Sequence, residues 1–255
     1  MNRFPIKTLP DGRALINLGS SARVAPGWNN VDFSWLIRFA RRPRLSGLLH
    51  RTGLLSTFRY QRIQKLDRHA ILWDLRKGIP FANGTFDCVY HSHVLEHIDR
   101  GNALPFLQEC FRVLKPGGIL RVVVPDLELL TNNYLACLAK LPDRADMAEH
   151  SFCVEQMIDQ MIVRVPTVRK QQKWIVRVAE SMIVGNTDRA GVLHRWMYDR
   201  FSLGELLRQA GCDQVQVHSH NSSSVKGWEG FLLDTEPDGT PYKPESLYME
   251  GRRLI

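Results

Sequence analysis

Within the nine residues Tyr90 to Ile98 (YHSHVLEHI) stand three histidines and a glutamate: His91, His93, Glu96 and His97. Imidazole is the side chain whose ordinary pKa lies nearest neutrality, so each ring can take up a proton from a reacting group and give it back. A second stretch, His194-Arg195-Trp196-Met197-Tyr198-Asp199, offers one more imidazole among polar and aromatic neighbours. Proton management of this kind needs the base held within hydrogen-bond reach of the reacting atom, so the surrounding elements decide what these residues can do.

Those elements are legible around the first cluster. Phe86 to His91 is a short run of β-formers, and Gly118 to Pro125 (GILRVVVP) is a second, bounded by Gly-Gly and by Pro. Between them Ala103, Phe106, Leu107, Cys110, Phe111 and Leu114 recur at helical spacing, with Asn102 placed to cap and Lys115-Pro116-Gly117-Gly118 to stop the helix. Phe86 to Asp126 is therefore one right-handed βαβ crossover of a parallel sheet. The histidines fall at the carboxyl end of its first strand, where ligands gather in such sheets.

The wording of this unit carries a resemblance. An FD-x-V strand, an xxVLEH turn, an amphipathic helix ending Arg112-Val113-Leu114-Lys115-Pro116-Gly117-Gly118 and an apolar strand resemble the second half of class I S-adenosylmethionine-dependent methyltransferases. The likeness runs upstream through Leu15–Ser20 (LINLGS), Val31-Asp32 and Trp73–Phe81 (WDLRKGIPF), so it covers most of residues 14–126. It implies an α/β, Rossmann-like sheet of seven mostly parallel strands with the last antiparallel, helical insertions, and S-adenosylmethionine as cofactor. LINLGS, WNNVD, VLEH, HRWMYD and YKPESLY together look like bacterial type 11 methyltransferases associated with surface-polysaccharide synthesis.

Site residues follow from the same likeness. Gly19-Ser20-Ser21 ends the first strand where the family carries a glycine-rich turn, usually G-x-G, that lets the backbone approach the cofactor. Here only Gly19 of the pair is present. Asp32, ending a strand over Trp28 to Asp32, is the expected ribose ligand, and Asp74-Leu75, after a strand over Ala70 to Asp74, the expected adenine contact. His91 is counted with the cofactor contacts. His93, His97 and His194 are the catalytic candidates, with His93 the leading general base. His93, Glu96 and His97 also align with the E-x-x-E-H triad of metal-assisted O-methyltransferases, with His for the first acid. Two imidazoles and a carboxylate would suit Mn, Fe, Zn or Ni better than Mg. The spacing H-x-x-E-H matches a zinc-peptidase signature as well, but that motif needs a continuous helix and Asp99-Arg100-Gly101-Asn102 breaks the chain just after it.

Composition bounds the remainder. A chain of 255 residues with 44% apolar content suggests one domain over residues 1–255, with a basic insertion at 33–69, a helical lid-like insertion at 127–191 and a peripheral tail at 237–255. Only Ser20 to Gly27 separates the first two strands, too few residues for an ordinary crossover helix. The last two strands are expected at Gln214–His218 and Trp228–Leu233. Met1–Pro5 does not begin a signal peptide and no stretch approaches a bilayer-spanning length, so a cytoplasmic place, peripheral to the inner membrane face at most, is expected. The five scattered cysteines read as reduced core thiols.

Ser34 to His69 holds nine Lys or Arg against one acid, Asp67, so its balance equals the +8 of the whole chain. Val163 to Val178 adds five more cations and no acid. Such patches suggest an anionic partner. A small or lipid-linked anionic saccharide acceptor is expected first, with peripheral membrane contact beside it and nucleic acid behind. The expected reaction is O-methylation of a sugar hydroxyl; RNA ribose methylation and a non-catalytic adaptor role are the alternatives.

Overall fold

The computed structural model describes residues 2–141, 147–161 and 194–254. The basic run Val163–Val178 lies outside them.

Seven strands form one sheet: β1 (Leu15–Leu18), β2 (Asn29–Asp32), β3 (Ile71–Leu72), β4 (Phe86–Ser92), β5 (Leu114–Pro125), β6 (Asp213–His218) and β7 (Ser246–Arg252). Their order is β3-β2-β1-β4-β5-β7-β6. The first five pair in parallel and β7 runs antiparallel between β5 and β6, as expected for the Rossmann-like class. Reversal of strand order on either side of β1 and β4 puts the switch point at their carboxyl ends, where Gly19 and the histidine cluster stand.

The crossover α4 (Arg100–Val113) starts two residues before the expected Asn102 cap, with Asp99 as its N-cap residue. Its buried stripe, Ala103, Phe106, Leu107, Cys110 and Val113, packs with Leu203 and Leu207 of α7 (Arg200–Gln209) on one face of the sheet. The chain after β5 forms α5 (Leu127–Leu138), capped as expected by Asp126, and α6 (Met147–Met161).

The opposite face is built differently. Because the β1–β2 connection is too short for a helix, Trp28, Tyr90 and Tyr248 are covered by Val225, Trp228 and Leu233 from the β6–β7 connection. Trp28 meets Tyr90, Trp228 and Phe231 edge-on. Arg121 of β5, fully buried, fixes this cover: its guanidinium binds Asp234 and Glu250, each at 2.8 Å, and the carbonyls of Ser222 and Ser219, at 2.9 and 3.0 Å, while lying over the Trp228 ring.

Two expectations are corrected here. The final strand is not Trp228–Leu233, where Trp228–Phe231 forms a 3-10 turn instead. It is Ser246–Arg252, inside the segment expected to be a peripheral tail. Leu247 and Met249 fill one core and Tyr248 the other, and Glu250 is made tolerable by Arg121 on the neighbouring strand. The cysteines are likewise not all reduced: Cys137 and Cys153, on the packed helices α5 and α6, form a disulfide, whereas Cys88, Cys110 and Cys212 are free and buried.

The expected basic helices are α1 (Leu36–Ala40), α2 (Pro43–Arg51) and α3 (Thr57–Lys65). They share a small core of Leu36, Ile37, Leu55, Ile63 and Leu66 beside β3, and leave Trp35, Leu48, Leu54 and Phe58 exposed among arginines. Among the described residues no helix is long and apolar enough to cross a membrane.

Candidate functional site

The turn after β1 is closed by β2. Both Gly19 and Ser20 donate their N–H groups to the Val31 carbonyl, and the Ser21 N–H donates to Asp32 Oδ2 at 2.7 Å. Gly19 has φ +70°, and a Cβ there would stand 2.4 Å from Val94 Cγ2. Glycine is required at this position on both counts. Ser21 is also left-handed, with φ 45°, the strain a second glycine would relieve.

Asp32 accepts from Ser21 through one oxygen and from the Ser34 N–H, at 2.6 Å, through the other. It therefore ties the β1 turn to the start of the basic insertion, and each oxygen keeps a lone pair for a further donor. Asp74 caps the 3-10 turn Leu75–Lys77 and holds Arg76 at 2.8 Å, which draws its carboxyl below the usual range. Asp32 thus ends β2 bonded to the turn at Gly19–Ser21, and Asp74 and Leu75 follow the carboxyl end of β3.

The histidines divide into three environments. The ring of His91, expected among the cofactor contacts, is fully buried, edge-on to Phe106 of α4, with neither nitrogen hydrogen-bonded. Burial pushes its pKa down to about 4, so it stays neutral. His93, at φ 53°, points Nδ1 at Glu96 Oε1, 3.2 Å away, and bonds Ser246 Oγ through Nε2 at 2.9 Å. Burial holds its pKa below the ordinary value. Its Nε2 is engaged by Ser246, and its Nδ1 faces Glu96 without an aligned hydrogen bond.

The third environment brings distant chain together. Glu96, wholly buried on the 3-10 turn Leu95–His97, lies 4.0 Å from His97 Nε2 and 3.9 Å from His194 Nε2, all measured to Oε1. The two imidazoles are 4.8 Å apart between centroids. Burial raises the Glu96 carboxyl, but His93 and His97 outweigh it and the carboxyl ends below its usual range. The segment bearing His194 is stitched in place: Arg195 and Trp196 donate their N–H groups to the Glu96 carbonyl, and Arg195 pairs with Asp99.

Two neighbours were invisible in the sequence. Lys243 is depressed to about 8, chiefly by burial, against the opposing pull of Glu96 and Asp234. Tyr198, whose hydroxyl is buried without a hydrogen bond, is raised to about 12 by burial and by Glu96. The HRWMYD run was the only available signal for Tyr198; nothing in YKPESLY marked Lys243 as a neighbour of Glu96. Chemically, the cluster offers one fixed carboxylate and two imidazoles able to exchange a proton or share a cation.

Residues 58–122 match the family model described as "Methyltransferase domain". That stretch runs from the last basic helix into β5 and includes the whole Glu96 turn. S-adenosylmethionine is the methyl donor this match implies. No curated protein matches the chain. Among solved structures, a methyltransferase of Thermotoga maritima is 14% identical, with 96% of this chain and 84% of that one covered at a TM-score of 0.40. One from Methanosarcina mazei is 13% identical, covering 94% and 92% at 0.40, and one from Archaeoglobus fulgidus is 11% identical, covering 93% and 85% at 0.40.

Proposed function

We propose that the chain transfers the methyl group of S-adenosylmethionine to a hydroxyl oxygen of a small or lipid-linked anionic saccharide. The observation that carries the reading is the gathering, along one edge of the sheet, of the Gly19–Ser21 turn, Asp32, Asp74-Leu75 and the Glu96–His97–His194 cluster, inside or beside the matched stretch.

Bound there, S-adenosylmethionine would supply a methyl carbon to the acceptor oxygen, a C–O bond forming as the C–S bond breaks and S-adenosylhomocysteine leaving as the neutral product. The sulfonium already activates the carbon, so the chain's work is alignment and removal of one proton from the acceptor hydroxyl. His97 and His194 receive that role, with Glu96 stabilising the charge that results and His93 holding Glu96.

The acceptor class rests on charge. The basic helices α1–α3 follow Asp32 closely in the chain, and the reading assigns the acceptor's negative charge to their cations. Two of the Arg41 guanidinium nitrogens are committed to the carbonyls of Arg68 and Ala70, at 3.0 and 2.7 Å, and not to acceptor binding. Exposed Arg42 and Arg44 serve that role instead.

Labelled S-adenosylmethionine offered with nucleotide-linked saccharides, lipid-linked saccharides and RNA tests this reading. It predicts label in a saccharide and a raised acceptor KM in Arg42→Ala with cofactor affinity unchanged. Label in RNA ribose would replace the acceptor; cofactor binding with no transfer to any class would favour an adaptor.

A further inference from the structure

Glu96 is a carboxylate with no exposure whose two oxygens lack any aligned hydrogen-bond donor. A buried anion in that condition is costly unless a positive charge reaches it. His93 Nδ1 stands 3.2 Å from Oε1 without the alignment of a hydrogen bond. His97 and His194 approach the same oxygen at 4.0 and 3.9 Å, too far to donate to it. One ligand atom from each of Glu96, His97 and His194 lies within 4.8 Å of the others.

That spacing suits a common guest. Ligands held at about 2.1 Å around a tetrahedral ion are about 3.4 Å from each other, so closing Oε1 on each imidazole by roughly half an ångström, and the widest spacing of 4.8 Å by about 1.4 Å, would bring the three onto one cation. We infer that Glu96, His97 and His194 form a site for a first-row divalent transition ion, with His93 orienting the carboxylate from behind. It differs from the triad expected from sequence, because His93 turns its Nε2 to Ser246 and a residue from 98 positions further along the chain than Glu96 takes its place.

The donor chemistry narrows the ion. Two imidazoles and one carboxylate favour Zn, Fe, Mn, Co or Ni over Mg, and three protein ligands leave at least one position open, as catalytic sites do and structural sites do not. The fixed partner behind the carboxylate is the usual outer layer of such a centre. Resting on the methyl-transfer reading, the ion's open position would take the acceptor hydroxyl and favour its deprotonated form, which would replace direct proton removal by His97 and His194.

The test uses the full chain stripped by chelation and dialysis, then titrated with Co²⁺ while visible absorption is followed. One equivalent should bind with the intense bands of a low-coordinate Co²⁺ centre, and Zn²⁺ should abolish them. Glu96→Gln and His194→Ala should each weaken binding by at least about 100-fold, and His93→Ala by about 10-fold. Should His194→Ala not fold, carbethoxylation of the unaltered protein read by mass spectrometry replaces it: Zn²⁺ should protect His97 and His194 while exposed His69 still reacts. No uptake by the unaltered chain, undiminished uptake by His194→Ala, or no protection would overturn the inference. S-adenosylhomocysteine binding measured on the same stripped protein separates the two readings. Cofactor binding without metal uptake sinks only the ion site, and metal uptake without cofactor binding sinks only the methyl transfer.

Discussion

The backbone carbonyl of Glu96 accepts the N–H of Arg195 at 2.7 Å, joining the turn after β4 to a segment almost a hundred residues away. The same peptide plane that ends the β4 turn thus fixes where His194 arrives, and the side chain of Glu96 faces two imidazoles from different parts of the chain. An Arg195–Asp99 pair and the stacking of Arg100 on Trp196 hold the junction from outside. Exchanging Arg195 for proline would remove the N–H donor. We expect Arg195→Pro to reduce turnover by more than tenfold with cofactor affinity unchanged, whereas Arg195→Ala, which keeps the N–H, should lose far less.

Asp32 serves the fold as well as the expected ribose contact. Asp32→Asn keeps one acceptor oxygen for two backbone donors, so the β1 turn loosens while the charge is lost. Cofactor affinity should fall by about 1.5–3 kcal/mol in calorimetry, with a lower Tm. A lower Tm with unchanged affinity would place the ribose elsewhere.

Gly19 and Val94 should couple. Gly19→Ala is expected to destabilise by about 2–4 kcal/mol, from left-handed backbone and from the Val94 methyl in the way. Adding Val94→Ala should recover the steric part and leave about 1–2 kcal/mol of backbone cost. Ser21→Gly should change stability by less than about 1 kcal/mol. Urea unfolding of the four variants checks all of this, and simple additivity would show that the two sites do not touch.

Most of the architecture could be read from sequence where the apolar pattern was unmixed. β4, α4 and β5 each showed their own periodicity, and Asp126 announced α5. β7 was missed because Glu250 and Arg252 break the apolar run, and the partner that makes Glu250 acceptable, Arg121, lies 129 positions away. The site divided along the same line. His93, Glu96 and His97 are local and were found together, but which of them faces which depends on Ser246 and His194, contacts that no spacing encodes.

The Arg121 centre gives a stability prediction from that missed contact. Arg121→Leu should cost about 3–5 kcal/mol in chemical unfolding, since it leaves Asp234 and Glu250 buried without their cation. Replacing Glu250 by Leu and Asp234 by Asn at the same time should recover a large part of that loss. A neutral Arg121→Leu would mean that water reaches the two carboxylates.

His91 contributes a pH dependence whose sign is fixed by burial. Its ring protonates near 6.5 in the unfolded chain but only near about 4 when folded, so between these values the unfolded state binds the extra proton. Above 6.5 the ring is neutral in both states and contributes nothing; as pH falls from 6.5 to 4, up to about 3 kcal/mol is lost. The difference in unfolding free energy between the native protein and His91→Met should narrow or change sign by this amount across the window. A constant difference would contradict the buried, neutral ring.

Calorimetric titration of the purified chain with S-adenosylhomocysteine tests the central claim most directly. Methyl transfer at the β1–β4 edge predicts one site per chain with micromolar affinity, weakened by Asp32→Asn and indifferent to Arg42→Ala. No heat of binding at millimolar S-adenosylhomocysteine, from protein shown to be folded, would contradict it.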